Sequence, residues 1–309
     1  MGLQVVFFGT PDPAARVLRD LLSSSHETVA VVTAPDRPAG RGLELKQPPV
    51  KNAASEASTE VIQPNTLKDE DVLSYLRSLS PDVFVVVAYG LIFPAAVLEI
   101  PRLGCVNVHF SLLPALRGAA PVQWAIIRGD SKTGVTIMMM DEGLDTGPIL
   151  LQSELEIGER ETAGQLMTRL TEVGAGALVR TLDLMEEGDV VPLPQDDSLA
   201  TVAPKLTSAD ARIDWDLSAK EIERRIRAFS PDPGAWTTRN GKRLKIWQAQ
   251  VVAEGKIIAG GLEDRDGEMV VATREGGLRV LELQPEGSSR MTSAAYLRGH
   301  AIVPGERLE

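Results

Sequence analysis

Short, almost wholly apolar runs recur along the first half of the chain. They are QVVFF at Gln4 to Phe8, TVAVVT at Thr28 to Thr33, FVVV inside Asp82 to Ala88, CVNV at Cys105 to Val108 and VTIMMM at Val135 to Met140. Runs this short, rich in Val and Phe, read as strands covered on both faces rather than as helices. Segments of helical spacing separate them. One follows the Gly9-Thr10 turn, with Asp12 as N-cap and Pro13 at the first helical position; others cover Asp69 to Leu79, Pro121 to Arg128 and Ala163 to Glu187. A further strand is expected over Ile149 to Ile157. Strands alternating with helices predict an α/β domain on a mostly parallel sheet, with ligands beyond the carboxyl ends of its strands.

After Gly188 the pattern changes. A polar stretch with Pro192, Pro194 and Pro204 reads as a linker over 189–204, dividing a domain of residues 1–188 from one of 205–309. The second has one amphipathic helix at Ser218 to Ala228. Short strands follow at Leu244 to Val252, Met269 to Thr273 and Leu278 to Leu283, with Gly-rich turns between them, the rhythm of a small β-barrel. Trp215 and Trp236 are expected to anchor its core. A length of 309 residues suits two such domains.

The 43 Asp and Glu outnumber the 32 Lys and Arg, a net charge of −11 that excludes a generally basic nucleic-acid coat protein. Any RNA contact must be local. The acidity is uneven: Lys205 to the end carries 17 basic and 16 acidic residues, against 15 and 27 before it. One cysteine, Cys105, excludes an intramolecular disulfide framework and fits a reducing compartment. No apolar run approaches the roughly 20 residues of a membrane helix, and no basic segment opens a signal peptide, so a cytoplasmic protein is expected.

The segment NVHFSLLPALRG, Asn107 to Gly118, carries the clearest chemistry. Residues two apart on a strand share a face, so Asn107 and His109 point the same way, about 6.6 Å apart at Cα. A neutral imidazole takes a proton from an attacking amine, and a carboxamide N–H steadies the oxygen of a carbonyl under attack. Cys105 shares that face. It lies about 13 Å of strand from His109, too far for a nucleophile and its base, and reads as a packing residue. DEGLDTGP, Asp141 to Pro148, could bring Asp145 to His109 and support its charged form; it reads equally as a simple turn capped by Asp145. No metal is expected. No G-x-G-x-x-G follows the first strand, so a dehydrogenase is unsupported.

Two cationic features remain. PDRPAGRG, Pro35 to Gly42, lies in a stretch from Ala34 to Pro49 with little regular structure expected; Arg37, Arg41, Lys46 and, just past its end, Lys51 outnumber Asp36 and Glu44. From Arg224 to Lys245, the cations Arg224, Arg225, Arg227, Arg239, Lys242, Arg243 and Lys245 face one acid, Asp232. A strip of that kind suits a phosphate backbone; the alternative is a solvated helix face and hairpin tip.

Four ordered motifs, FGTPDPA, VVAYGLIFP (Val86 to Pro94), NVHFSLLPALRGAAPVQWAI (Asn107 to Ile126) and DEGLDTGPIL (Asp141 to Leu150), resemble the folate-dependent formyltransferase family over nearly the whole chain. The resemblance implies a Rossmann-like domain that takes a formyl group from 10-formyltetrahydrofolate to a substrate amine, and an OB-like C-terminal barrel. Asn107, His109 and Asp145 match the family's catalytic residues. The folate ring is implied to sit against Val86, Ala88, Tyr89, Gly90, Leu91 and Ile92, and against Asp141, Glu142, Gly143, Leu144 and Thr146. Ser111, Leu112, Leu113 and Pro114 match the signature after the histidine.

Members that act on charged initiator tRNA insert the loop matching Arg37, Arg41 and Lys46 at the acceptor end. In them the C-terminal barrel, here with Arg224, Arg225, Arg239, Lys242, Arg243 and Lys245, holds the inside of the tRNA, and a lysine matching Lys205 lies near the active site. The implied partners are therefore charged initiator tRNA and the folate, with no membrane and no stable protein partner. The competing readings are the same chemistry on an amino-sugar nucleotide and a noncatalytic folate- or RNA-binding module.

Overall fold

The computed structural model describes residues 2–39, 44–253 and 258–309. The backbone divides into two units. The first takes in the chain up to Pro121 with Lys132–Glu156 and Met167–Ala203; the second takes in Val122–Ser131, Ile157–Leu166 and Pro204–Glu309.

The chain runs through β1 (Gln4–Gly9), α1 (Asp12–Leu22), β2 (Glu27–Val32), β3 (Arg37–Ala39), β4 (Glu44–Lys46), α2 (Pro49–Glu56), β5 (Val61–Ile62), α3 (Glu70–Ser78), β6 (Val83–Val87), α4 (Ala95–Leu98) and β7 (Cys105–His109). Then come α5 (Pro121–Arg128), β8 (Lys132–Met139), β9 (Ile149–Glu156) and α6 (Ala163–Glu187). Seven strands make one sheet in the order β5-β2-β1-β6-β7-β8-β9. The first five of these are parallel, whereas β8 runs against β7 and β9 against β8. The apolar run of β8 carries no mark of its direction, because a strand buried on both faces looks the same either way.

Leaving β1, the chain lays down β2 and β5 on one side, then crosses to β6 and β7 on the other. That reversal puts the ligand crevice of such a sheet at the carboxyl ends of β1 and β6. Close packing shapes this corner. A Cβ on Gly9 would stand 2.7 Å from the Ala14 Cβ and 3.0 Å from the Val87 carbonyl, so only glycine lets α1 start so near the sheet. Phe8 touches the rings of Phe84, Tyr89 and Phe93 at centroid separations of 4.9, 5.4 and 5.0 Å, anchoring the turn after β6.

Two local expectations are corrected. Helix α1 begins at Asp12, with Pro11 at the cap position and no side-chain cap; Asp12 instead sits in the first turn, at the positive end of the helix dipole. The stretch from Ala34 to Pro49 is not irregular throughout, since β3 and β4 pair as a small antiparallel ladder, Arg37 opposite Lys46. Helix α2 went unread. Its signal was present: Pro49 at the start, then buried Val50, Ala53 and Ala54 at helical spacing.

In the second unit, α7 (Ala219–Ala228) is followed by β10 (Ala235–Arg239), β11 (Lys242–Val252), β12 (Leu262–Arg265), β13 (Glu268–Ala272), β14 (Gly277–Pro285), β15 (Met291–Thr292) and α8 (Ser293–Leu297). A capping box between Ser218 and Glu221 starts α7, and its buried face is Ala219, Ile222, Ile226 and Ala228. The six strands form an antiparallel sheet in the order β10-β11-β14-β13-β12, with β15 against β14. Among the described residues this ladder does not close on itself. Trp215 lies in the core as expected, its indole N–H donating to Thr237 Oγ1 at 3.0 Å. Trp236 sits at the core's edge instead, with Arg243 stacked 4.1 Å above it. Among the described residues no helix is long and apolar enough to cross a membrane.

Candidate active site

Strand β7 carries two of the candidate residues. Asn107 pairs in register with Val86 of β6 and Met138 of β8, and His109 follows on the same face. The Asn107 side chain is half-buried, and its carboxamide has no hydrogen-bond partner among the described residues. His109 is 5% exposed. Its Nε2 lies 3.0 Å from the Leu116 carbonyl oxygen. A carbonyl can only accept, so Nε2 carries the proton and Nδ1 keeps a lone pair. Nδ1 stands 3.6 Å from Asp145 Oδ2.

Burial pushes the His109 imidazole below its ordinary 6.5, against the opposing pull of the Asp145 charge and the Leu116 carbonyl. The ring is therefore neutral at pH 7. It presents a basic nitrogen beside a carboxylate that stabilises the proton once it arrives.

Asp145 reaches this position through an irregular loop. Its φ is +54°, left-handed backbone that costs a non-glycine residue on the order of 1–3 kcal/mol and marks a position held by its surroundings. Oδ2 accepts from the Gly118 amide at 2.8 Å. The reading of Asp145 as a turn cap is thus corrected: Asp141 does that work, its Oδ1 accepting from the Gly143 amide at 3.0 Å and the Thr146 hydroxyl at 2.7 Å. Gly118 must itself be glycine. Its φ is +121°, and a Cβ there would lie 2.7 Å from the Ala203 carbonyl oxygen.

The segments read as folate contacts divide into exposed and inward-facing groups. Leu91, Ile92 and Leu144 are exposed apolar side chains, Ile92 at 89%, on the two loops that follow β6 and β8. Gly90 and Ala88 turn the first loop with φ of +88° and +47°. Val86 and Tyr89 are buried, and Asp141, Glu142 and Gly143 are exposed. Ser111 and Leu113 are buried and tied into the turn that follows β7. The Ser111 hydroxyl donates to the Ala115 carbonyl at 2.6 Å, and the Leu113 backbone is held by Thr136 Oγ1 and Gln152 Nε2. Both brace the turn that carries Leu112 and Pro114. Cys105 is buried and its thiol is pushed up to about 12, a packing residue as expected.

A cleft of about 500 Å³ opens over the carboxyl ends of β1, β2 and β6, lined by Thr10, Ala34, Arg37, Lys46, Asn65, Tyr89 and Gly90 among others. The hydroxyls of Thr10 and Tyr89 are buried and have no hydrogen-bond partner among the described residues. Such groups leave about 1–3 kcal/mol of desolvation uncompensated, and neither oxygen presents accessible surface to the cleft. Arg37 and Lys46 stand on its rim; Lys51 does not add to them, being paired with Asp36 at 2.7 Å. Arg41 lies outside the described residues.

In the second unit the strip is less cationic than its sequence. Arg239 is corrected as a free RNA contact: its side chain is 5% exposed, paired with Glu306 at 2.8 Å and bonded to the carbonyls of His300 and Ala301. Lys245 donates to the Pro233 carbonyl and lies over the Trp247 ring, and Arg224 donates to the Arg128 carbonyl. Arg243, Lys242 and Lys205 are exposed. A cleft of about 780 Å³ beside α7 includes Arg224 and Arg227; like the 500 Å³ cleft, it is lined by none of Asn107, His109 and Asp145.

The formyl transferase model matches residues 3–182, and the formyl transferase C-terminal domain model matches 205–301. The chain belongs to the formyl transferase family. It is 46% identical over 313 residues to the methionyl-tRNA formyltransferase of Pseudoalteromonas translucida (strain TAC 125), an alignment covering 98% of this chain and 96% of that protein. Its fold is shared with an N-formyltransferase from Helicobacter canadensis solved with folinic acid and dTDP-3-aminofucose, at TM-score 0.68 and 19% identity over 92% of this chain and 99% of the other. HypX from Aquifex aeolicus, solved with tetrahydrofolic acid, matches at TM-score 0.64 and 19% identity over 96% of this chain; the chain spans 47% of that protein.

Proposed function

We propose that the enzyme transfers the formyl group of 10-formyltetrahydrofolate to the free α-amino group of methionyl-initiator tRNA. The observation that carries the chemistry is the His109 ring, with Nε2 tied to the Leu116 carbonyl and Nδ1 turned to Asp145, two residues from the unpartnered Asn107 carboxamide.

The exposed apolar side chains of Leu91, Ile92 and Leu144 suit the face of a planar ring, so these residues fit a folate. When bound, the folate supplies a formyl carbon open to attack by an amine. Nδ1 of His109 takes the proton that the amine loses as its nitrogen bonds to that carbon. The Asn107 N–H donates to the formyl oxygen as negative charge gathers there. Asp145 stabilises the imidazolium, which returns its proton to the departing nitrogen of the folate. In this reading residues 1–188 perform the transfer and 205–309 hold the tRNA, joined by 189–204. The cationic rim of Arg37 and Lys46 faces the charged end of the RNA, and the setting is the cytoplasm.

The test is a competition for the acceptor. Enzyme and 10-formyltetrahydrofolate are incubated separately with charged initiator tRNA, charged elongator tRNA and an amino-sugar nucleotide, and the formylated product is identified. Formylation of the initiator alone is expected; formylation of the sugar alone overturns the reading.

A further inference from the structure

The stretch read from sequence as a linker holds both groups that touch His109. Those groups are the Leu116 carbonyl and the Asp145 carboxylate, and each belongs to a non-glycine residue in left-handed backbone, with φ of +62° and +54°. Conformations of this kind persist only where neighbours enforce them. The neighbours here lie between Leu193 and Ala203. Thr201 Oγ1 accepts from the Leu116 amide at 2.9 Å, while the Arg117 amide donates to the Thr201 carbonyl at 2.8 Å and the Arg117 carbonyl accepts from the Ala203 amide at 2.7 Å. Leu193 and Ile149 exchange both backbone bonds at 2.8 Å, fixing the far side of the Asp145 loop.

Gln195 joins the two sides. Its Nε2 donates to the carbonyls of Asp145 at 2.9 Å and Gly147 at 2.7 Å. Its Oε1 accepts from Arg117 Nε at 3.1 Å and Nη2 at 2.8 Å. Arg117 is itself held by Asp197 at 2.8 Å and is 9% exposed. Both donors and both lone pairs of one carboxamide are thus engaged, two toward each catalytic segment.

We propose that Gln195 is a positioning residue for formyl transfer, locking the Asp145 loop to the Arg117 turn so that Asp145 stays at His109. The inference rests on the reading that His109 and Asp145 carry the chemistry. Gln195→Glu separates its two sides. The carboxylate still accepts from Arg117, while the two N–H donors are replaced by an oxygen facing two carbonyls, which drives the loop away.

The experiment measures steady-state transfer from 10-formyltetrahydrofolate to charged initiator tRNA for the wild type, Gln195→Glu, Asp145→Asn and the double variant, with thermal melts of each. Misplacing a catalytic group by about 1 Å can cost about 10²-fold, so Gln195→Glu is expected to lower kcat by about 10- to 100-fold. KM for charged tRNA stays within about twofold, and KM for the folate rises by less than kcat falls, because Leu144 rides on the same loop. In the Asp145→Asn background the second substitution removes less than about a further twofold, because coupled residues are not additive.

Wild-type kcat in Gln195→Glu, a loss confined to KM, or losses that multiply in the double variant overturn the inference while leaving the assignment of Asp145 standing. Full activity in Asp145→Asn overturns that assignment, and the inference with it. If Gln195→Glu does not fold, Gln195→Met, which keeps the length without any hydrogen-bonding group, is read by the same cycle.

Discussion

The corner around His109 and the strip from Arg224 to Lys245 are both dense in polar groups, yet they treat them in opposite ways. At His109 the protein keeps groups open among the described residues: Asn107 has an unpartnered carboxamide and the imidazole a lone pair, next to a carboxylate that has not closed to hydrogen-bond distance. Along the strip the protein satisfies what it buries. Arg239 has a carboxylate and two carbonyls, and Lys245 has a carbonyl and an indole ring. Polar groups left open beside a buried imidazole point to chemistry, whereas groups fully matched in a buried pair point to architecture.

The largest effect expected from breaking this contrast is at Asn107. Loss of one oxyanion donor typically costs about 10² to 10³ in rate, so Asn107→Ala should fold with a wild-type melt and transfer formyl groups that much more slowly. Near-normal turnover would remove Asn107 from the chemistry. Arg239→Ala should do the reverse. Removing one partner of a buried pair leaves an uncompensated charge, here Glu306, and destabilises by about 3–5 kcal/mol in denaturant titration, with tRNA affinity per folded molecule unchanged.

Two smaller effects sharpen the comparison through pH. The Arg239 guanidinium holds the Glu306 carboxyl down at about 2 against an ordinary 4.5. A depressed carboxyl contributes stability above its unfolded value and loses it as pH falls from 4.5 toward 2, and Arg239→Ala should flatten that slope in acid unfolding. His109 has the opposite consequence for activity. Its imidazole is depressed by burial, so the acid limb of kcat/KM should have its midpoint below 6.5, and Asp145→Asn should move it lower still by removing the charge that opposes the shift. A limb above 6.5 would contradict the buried, neutral ring.

The smallest expected effect lies at Arg243, which is exposed and stacked on Trp236. Arg243→Ala should change stability by no more than about 0.5 kcal/mol and, in tRNA binding measured across a salt series, reduce the slope by about one. An unchanged slope would mean that the stack serves the domain and not the RNA.

How much of this was legible beforehand depends on the range of the interactions. Strand periodicity put Asn107 and His109 on one face, and the buried runs of β1, β6 and β7 were found where the structure has them, because alternation and apolar content are properties of neighbouring residues. Local rules faltered where proline-rich segments offered two starts, as at Pro11-Asp12-Pro13, and where a short helix was hidden behind a loop, as in α2.

The amino-acid sequence alone therefore determined the βα alternation, the spacing of an amide and an imidazole, and a loop able to present Asp145. Folding decided the rest. The antiparallel course of β8, the neutralisation of Arg239 by a carboxylate 67 residues away, and the bond from Gln195 to a carbonyl 50 residues earlier leave no trace in any local window. A hydrogen bond depends on a few tenths of an ångström between atoms, and for residues so far apart in the chain only the packed backbone sets that distance.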